Sequence, residues 1–466
     1  MNEKLAQALG YVDGRYVAQA ARHKRAGRKI LLPAVAAMLA LVVLFRVPSI
    51  PLVITAKAVS IASEPRKMER PNIHSDKFDT WFKERNRREE QANAAKNPVF
   101  DFADAASRAV LSGVDGTNRV WSPINAYIAL AMTAELTAGD TRAEVLKVLG
   151  VSDVQDLRQG ISALWETIYK DNGKEISVLA NSLWLDREVD YKQEVMDLLS
   201  YHYYASVYQG DLGSTRTNQD LANWLCNQTG GFLKDRTGTA KLDPNSMLVM
   251  ASTIYFQSQW TDKFNGGQNT EDVFHTVSGD VPCTFMNAKL YEMNYYWAED
   301  YGAVQLFLEN GSMMWFILPD ADKTADDVLA GGDYMDMITQ NGAFPDENHK
   351  WMKVNLSVPK FDVSASTDLK QSLATMGLTK IFEPVGNDFT PSIDSEVPIY
   401  LDSIHQDTRV AIDEKGVTAA SYIELQFGAG ASQPPDEIID FVLDRPFLFA
   451  ICTDQIPLFA GVVNMP

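Results

Sequence analysis

Thr408-Arg-Val-Ala-Ile-Asp-Glu-Lys-Gly-Val-Thr-Ala-Ala-Ser421 runs directly into Tyr422-Ile-Glu-Leu-Gln-Phe-Gly-Ala-Gly-Ala-Ser-Gln-Pro-Pro-Asp-Glu-Ile-Ile-Asp440. Alternation over 408–412 predicts a strand. Asp413, Glu414, Lys415 and Gly416 then make a turn-like tetrad, and Val417, Thr418, Ala419, Ala420 and Ser421 are small or β-branched. A Gly/Ala run over 428–431 follows, Pro434 and Pro435 stop it, and strand-like residues resume at Phe441. A bland reading makes this a surface loop. Connections of this length without structure of their own are uncommon in compact domains, and the ordered ones usually carry function.

Working outward, residues 99–466 mix helix and strand signals. Phe102, Ala106, Ala109 and Val110 mark an amphipathic helix. Thr141-x-x-Glu144 reads as a capping box for a helix that Gly150 closes. Asn218 opens another, with Leu221, Trp224 and Leu225 inward and Gly230-Gly231 at its end, and Ser366 caps a third that stops at Gly377. Strand-like runs fall at 176–185, 247–256, 313–318, 354–358, 447–452 and 458–463. A helix-rich start and a strand-rich end imply an α+β fold.

The 466 residues carry 42 Lys+Arg against 61 Asp+Glu, a net charge of −19. That charge is split. Residues 1–70 hold 12 Lys/Arg and 4 Asp/Glu, leaving 30 against 57 for the rest, so a +8 head precedes a −27 body. A nucleic-acid binder would carry its basic residues on the folded part, so no nucleic-acid partner is expected. Cys226, Cys283 and Cys452 are odd in number and match no metal spacing; they read as buried thiols. The histidines show no HExxH spacing, and the chain has no GxSxG, P-loop or GxGxxG. No catalytic residue, metal or cofactor is expected.

The head contains a greasy run over 30–47 that is just long enough to cross a bilayer if Arg46 reaches the headgroups, with Pro48 and Pro51 ending it. Arg22, Lys24, Arg25, Arg28 and Lys29 precede it. The positive-inside rule then makes 1–29 a basic cytoplasmic segment, 30–47 a single-pass anchor and the body extracellular. A cleaved signal peptide is the rival, with Ala56, Ala58 and Ala62 as small residues for a cleavage site. Residues 48–98 read as a charged linker in which Phe78, Trp81 and Phe82 form a short docking turn, and 99–466 as one domain.

Taken in order, several stretches of the body resemble the serpin family. Asn118-x-x-x-Ser122-Pro123-Ile124-Asn125 is similar to its shutter helix, Asn181-Ser182-Leu183-Trp184 to a central strand, and Thr253-Ile254-Tyr255-Phe256 with Trp260 to another strand and the breach tryptophan. Val358-Pro359-Lys360-Phe361, Arg445-Pro446-Phe447 and Leu458-Phe459-Ala460-Gly461 resemble later signatures. Asp413-Glu414-Lys415-Gly416 with Ala419-Ala420 resembles the reactive-loop hinge. Two departures stand out: Ser252 where the family strand usually has Asn, and Gln406 at the shutter histidine position.

The resemblance implies helices packed on three β-sheets with an exposed reactive loop. It implies inhibition of a serine-type (or cysteine) protease, which cleaves the loop, forms an acyl complex and is trapped as the loop inserts into the central sheet. In the family register Val417, Ala419, Ser421 and Ile423 alternate inward. Thr418, Ala420, Tyr422 and Glu424 alternate outward. Counting from Gly416 places the reactive bond at Gly430–Ala431; the slightly long 30-residue distance to Pro446 also allows Ala431–Ser432, and Phe427–Gly428 is a further alternative. No Lys or Arg occurs between Gly416 and Asp444, so an elastase-like or subtilisin-like target is expected rather than a trypsin-like one. The expected partners are an extracellular protease and the membrane, with the chain itself a monomer. Bulky Tyr422 and Ile423 cut the alanine-rich stretch short, and a non-inhibitory binding or structural serpin is the alternative. An enzyme is the third reading.

Overall fold

The computed structural model describes residues 51–63, 65, 69–113, 116–232, 242–243, 245–339, 345–394, 399–417 and 437–466. In chain order the strands are β1 (Lys57–Ser60), β2 (Arg119–Trp121), β3 (Lys170–Asp171), β4 (Ile176–Asp186), β5 (Ala205–Gly210), β6 (Leu248–Gln259), β7 (Thr270–Thr276), β8 (Gly279–Trp297) and β9 (Tyr301–Phe307). They continue with β10 (Ser312–Pro319), β11 (His349–Pro359), β12 (Phe361–Asp368), β13 (Ile404–Asp413), β14 (Gly416–Val417), β15 (Ile438–Val442), β16 (Phe447–Thr453) and β17 (Ile456–Val463). The six longest helices are α1 (Phe78–Leu111), α2 (Pro123–Leu136), α3 (Gly139–Val148), α4 (Val154–Ile168), α5 (Gln193–His202) and α6 (Thr215–Gln228).

Eight strands form one sheet in the order β1-β5-β4-β6-β14-β13-β12, with β3 beside β4. Nine form the other in the order β15-β11-β8-β9-β10-β16-β17-β2, with β7 beside β8. The expected second and third sheets are joined because the 19-residue β8 serves both. Its earlier residues pair with β7 and β11, and Tyr295, Tyr296 and Trp297 pair with β9.

Helix α2 is apolar all round, so it belongs inside rather than at the surface. Ser122 caps it, Pro123 opens it where a missing N–H costs nothing, and all fourteen residues are buried. It packs on β4, β6 and β17, which puts its N-terminus under the first sheet.

The stretch read as a charged linker, 48–98, is built into the fold from residue 51 onward. β1 pairs antiparallel with β5 at the sheet edge. Just before it, Thr55 and Ala56 donate their backbone N–H groups to the Asp220 carboxylate of α6 at 2.9 and 2.8 Å, and the Thr55 hydroxyl donates at 2.7 Å. Asn223 and Asn227 of α6 donate to the carbonyls of Val53 and Leu52, each at 2.8 Å. The charge-rich residues from Lys83 to Glu90 belong to the first half of α1. Glu84 pairs with Arg87 and Arg88 along the helix, and Arg88 also reaches Glu166 of α4. Such i,i+3 and i,i+4 pairs support the helix, and farther along it Ala92 and Val99 are buried.

Other boundaries moved for similar reasons. Helix α3 starts at Gly139, two residues before the expected capping box. The box side chains instead hold other segments: Thr141 accepts from the Asp388 N–H at 2.9 Å, and Glu144 from those of Thr379 and Lys380 at 3.1 and 2.9 Å. Ser214, not Asn218, caps α6, accepting from the Thr217 N–H at 3.1 Å. Ser366 lies within β12, and the short helix after it is Lys370–Thr375. Cys452 is buried as expected, whereas Cys226 and Cys283 are half-buried; all three are free thiols.

The expected anchor at 30–47 lies outside the described residues. No helix among the described residues is long and apolar enough to cross a membrane.

Candidate functional site

Four residues turn the chain back on itself between β13 and β14. Asp413 accepts from the backbone N–H groups of Lys415 and Gly416 at 2.8 and 3.2 Å, a side-chain-stabilised turn. Trp260, 1% exposed, clamps it from the end of β6. Its indole N–H donates to the Asp413 carbonyl at 2.8 Å, and its backbone N–H to that of Lys415 at 2.9 Å. Glu414 is held by Lys360 at 2.5 Å and by the Asn269 amide at 2.6 Å. Burial works against the Glu414 charge, yet Lys360, a backbone amide and Asn269 outweigh it and keep the carboxyl below its usual value.

After the turn, β14 enters between two strands that would otherwise be neighbours. Gly416 and Val417 pair antiparallel with Gln259 and Ser258 of β6 on one side, and with Asp413 and Ile412 of β13 on the other. Val417 is fully buried in the main core. Gly416 has no alternative: a Cβ there would lie 2.2 Å from the Ser258 carbonyl oxygen and 2.6 Å from the Gln259 Cα. Farther along, β6 and β13 separate. They meet again only where 250–253 pair parallel with 404–407. Between those two contacts, residues 254–257 and 408–411 do not pair with each other among the described residues. Thus the sheet is closed at one end, wedged by the hinge at the other, and parted between.

The closed end sits on the N-terminus of α2. Gln406 of β13, 1% exposed, makes a two-point contact with the Ser122 peptide: its Nε2 donates to the Ser122 carbonyl at 3.0 Å and its Oε1 accepts from the Ser122 N–H at 2.6 Å. An amide matches a peptide group in both directions, so Gln406 satisfies the bridging role without an imidazole. Asn181, Ser252 and Gln406 lie in one row across β4, β6 and β13. Among the described residues, the side chains of Asn181 and Ser252 in this row and of Asn125 in α2 are buried with no hydrogen-bond partner.

Comparisons with known proteins fit this geometry. The family model described as Serpin (serine protease inhibitor) matches residues 99–466. The chain belongs to the serpin family. Serpin-ZX of Arabidopsis thaliana is 27% identical over 386 residues, covering 78% of this chain and 95% of that protein. Plasminogen activator inhibitor 1 of Sus scrofa is 26% identical, covering 78% and 91%. Among solved structures, the thermophilic serpin tengpin in its native state gives a TM-score of 0.71 at 23% identity, covering 88% of this chain and all of that one. Human thyroxine-binding globulin complexed with thyroxine gives 0.70 at 20%, covering 81% and 99%. These structures establish the fold of this serpin.

Glu414, Lys415, Gly416, Val417 and Trp260 come together at the hinge, and Ser122, Asn125 and Gln406 at the closed end. Asn118 joins neither group. Its Oδ1 accepts from the N–H groups of Asn464 and Met465 at 2.7 and 2.8 Å, so it fastens the C-terminus. Thr418, Ala419, Ala420, Ser421, Gly430 and Ala431 lie outside the described residues. Sequence reasoning missed Asp413 as the turn's acceptor and Lys360 as the partner of Glu414. An Asp three residues before a Gly was the available signal for the first.

Proposed function

We propose that this serpin inhibits a serine-type protease that cleaves Gly430–Ala431, and that the freed loop closes into the gap between β6 and β13. The supporting observation is the wedge of Gly416 and Val417 at the head of that gap, already in antiparallel register with both walls. Extending this register sets Ala419 against Phe256 and Val410, Ser421 against Ile254 and Thr408, and Ile423 against Ser252 and Gln406, on the core side with Val417. Thr418, Ala420, Tyr422 and Glu424 take the opposite side. From Tyr422 onward, insertion requires 250–253 and 404–407 to part. In the reaction the protease serine oxygen attacks the Gly430 carbonyl carbon and Ala431 leaves as the free amine. The resulting ester survives if insertion outruns water. The target supplies all the chemistry, so the serpin needs no catalytic residue.

The small side chains around the bond and the lack of Lys or Arg between Gly416 and Asp444 favour an elastase-like or subtilisin-like target. Mixing with a panel of such proteases should give an SDS-stable adduct and a released fragment whose mass begins at Ala431. Free cleavage without adduct would sink the inhibitory reading. A non-inhibitory binding serpin is the second reading, favoured by the early bulk of Tyr422 and Ile423. Heating separates them: an inserting serpin gains thermal stability once nicked, whereas a non-inserting one does not. The +8 head and the greasy run at 30–47 support display from the outer face of a membrane. Membrane fractionation, and digestion of the body in intact cells, test that placement.

A further inference from the structure

The loop rejoins the fold at β15, and the face of the sheet beside that junction has an uneven surface. β11 carries β15 on one side in parallel and β8 on the other in antiparallel register. Strand alternation sends Val354, Leu356 and Val358 into the core and Trp351, Lys353, Asn355 and Ser357 to the outside. Far from the junction, the outer face is mostly polar and self-satisfied, although Val442 beside Ser357 is 37% exposed. Asn355 donates to Asp440 at 2.7 Å, and Asn287 to the Gln268 carbonyl and the Thr270 hydroxyl at 2.9 and 3.1 Å. At the junction the character changes. Ile438, the first residue of β15, is 60% exposed and lies beside Lys353. Across from Lys353 the register slips, so that Tyr291 and Glu292 together oppose one residue, and Tyr291 is 66% exposed. Trp351, 49% exposed, is the next outward residue along β11. Three large apolar side chains therefore surround a lysine at the loop end of this face, whereas its far end exposes Val442.

We propose that this patch, Tyr291, Trp351, Ile438 and Lys353, is a second docking surface for the body of the protease that attacks the loop. This inference rests on the inhibitory-loop reading for the identity of its occupant. Continuity of chain argues for that occupant. Ala431 is seven residues before Ile438 in sequence, a reach of at most about 25 Å when extended. A protease domain of roughly 220 residues is about 40 Å across, so one engaged at Gly430–Ala431 overhangs this face. Exposed aromatic side chains, clustered rather than scattered, are what a protein contact covers. Charge adds a preference. Lys353 and Lys289 have no ion-pair partner among the described residues, in a body where 30 basic residues face 57 acidic ones. The complementary protease surface is apolar with at least one carboxylate.

The test compares wild type with Tyr291→Ala/Trp351→Ala and, separately, with Lys353→Glu. It measures the total second-order rate of loop attack by an elastase-like protease, adduct and cleaved product summed. A free peptide spanning 417–437 serves as the reference substrate. We expect the intact serpin to be attacked faster than the peptide, and the double variant to lose about tenfold or more of that rate. Lys353→Glu should lose part of it and become less sensitive to salt, with the melting temperature unchanged in both variants. Rates within twofold of wild type in both would overturn the docking surface. The fraction of attacks ending as adduct reports separately on the inhibitory reading, because a serpin that is only cleaved still reveals its docking through the summed rate.

Discussion

Replacing Gly416 by alanine should expel the hinge from the sheet, and the size of the effect follows from the contacts there. The new Cβ would meet the Ser258 oxygen at 2.2 Å and the Gln259 Cα at 2.6 Å, both backbone atoms of β6. β6 resists retreat, because an antiparallel ladder ties it to β4 as far as Gln257 and the N–H groups of Glu309 and Asn310 hold the Gln259 carbonyl and the Ser258 hydroxyl at 2.8 and 3.2 Å. The hinge must leave instead. Exposing Val417 costs about 1.5–3 kcal/mol, and losing two hydrogen bonds, such as that from Trp260 to the Lys415 carbonyl, costs about 0.5–1.5 kcal/mol each. A total of about 3–5 kcal/mol, against an unfolding entropy of about 0.8 kcal/mol/K for roughly 400 residues, lowers the melting temperature by about 4–6 °C. Differential scanning calorimetry at a fixed scan rate measures it. The proposed insertion also needs residue 416 between the same strands, so on that proposal any gain in stability after loop cleavage should shrink too, and more of the serpin should end as cleaved product. An alanine variant that melts with wild type and gains the same stability on cleavage would refute the wedge argument.

Gln406→Leu keeps the bulk of the side chain but leaves the buried Ser122 N–H without its acceptor; denaturant titration should show a loss of about 2–4 kcal/mol. Asp220→Ala removes the acceptor for three donors from Thr55 and Ala56, so limited proteolysis should cut near residue 55 at least several-fold faster while the core resists. Asp104 is pushed up to about 6, chiefly by burial, with Asp336 and Asp101 adding to the shift and Arg108 opposing it. Its folded form holds a proton that the unfolded chain has released, so its contribution to stability falls as pH rises from about 4 to about 6. Asp104→Asn should flatten that part of the melting temperature profile, and a profile identical to wild type would count against the assignment.

Much of the site was legible because it depends on local chemistry. A turn tetrad ending in Gly416 and an alternating strand before it are visible without any contact map, and both are found there; the small residues after Val417 lie outside the described residues. The core strands were legible too, since alternating or continuous apolar runs have few other uses, although β4, β6 and β11 extend beyond their apolar centres. What stayed hidden depends on partners distant in sequence. Glu84, Arg87 and Arg88 look like solvated linker until Glu166 of α4 is brought beside them. Residues 52–56 are placed by Arg216, Asp220, Asn223 and Asn227 of α6 and by packing of Ile54 and Ala56, none of which their own stretch reveals. Thr141 and Glu144 have capping-box spacing, yet distant backbone donors claim both. Asn118 shares a stretch with Ser122, but its bonds go to residues at the other end of the chain.

The pairing of β1 with β5 has a consequence for how these molecules meet one another. A strand at the margin of a sheet offers unmatched backbone groups to any extended peptide, including one from another copy. Here the chain's own leading segment covers the margin of β5, and Lys57 within it reaches back to Tyr191 and to Gln209 of β5 at 2.8 and 3.1 Å. In the middle of the same sheet, 254–257 and 408–411 keep their facing backbone groups unmatched by each other. A foreign strand therefore finds the edge of β5 taken, and the interior gap offers it two walls of backbone groups where β1 offers one.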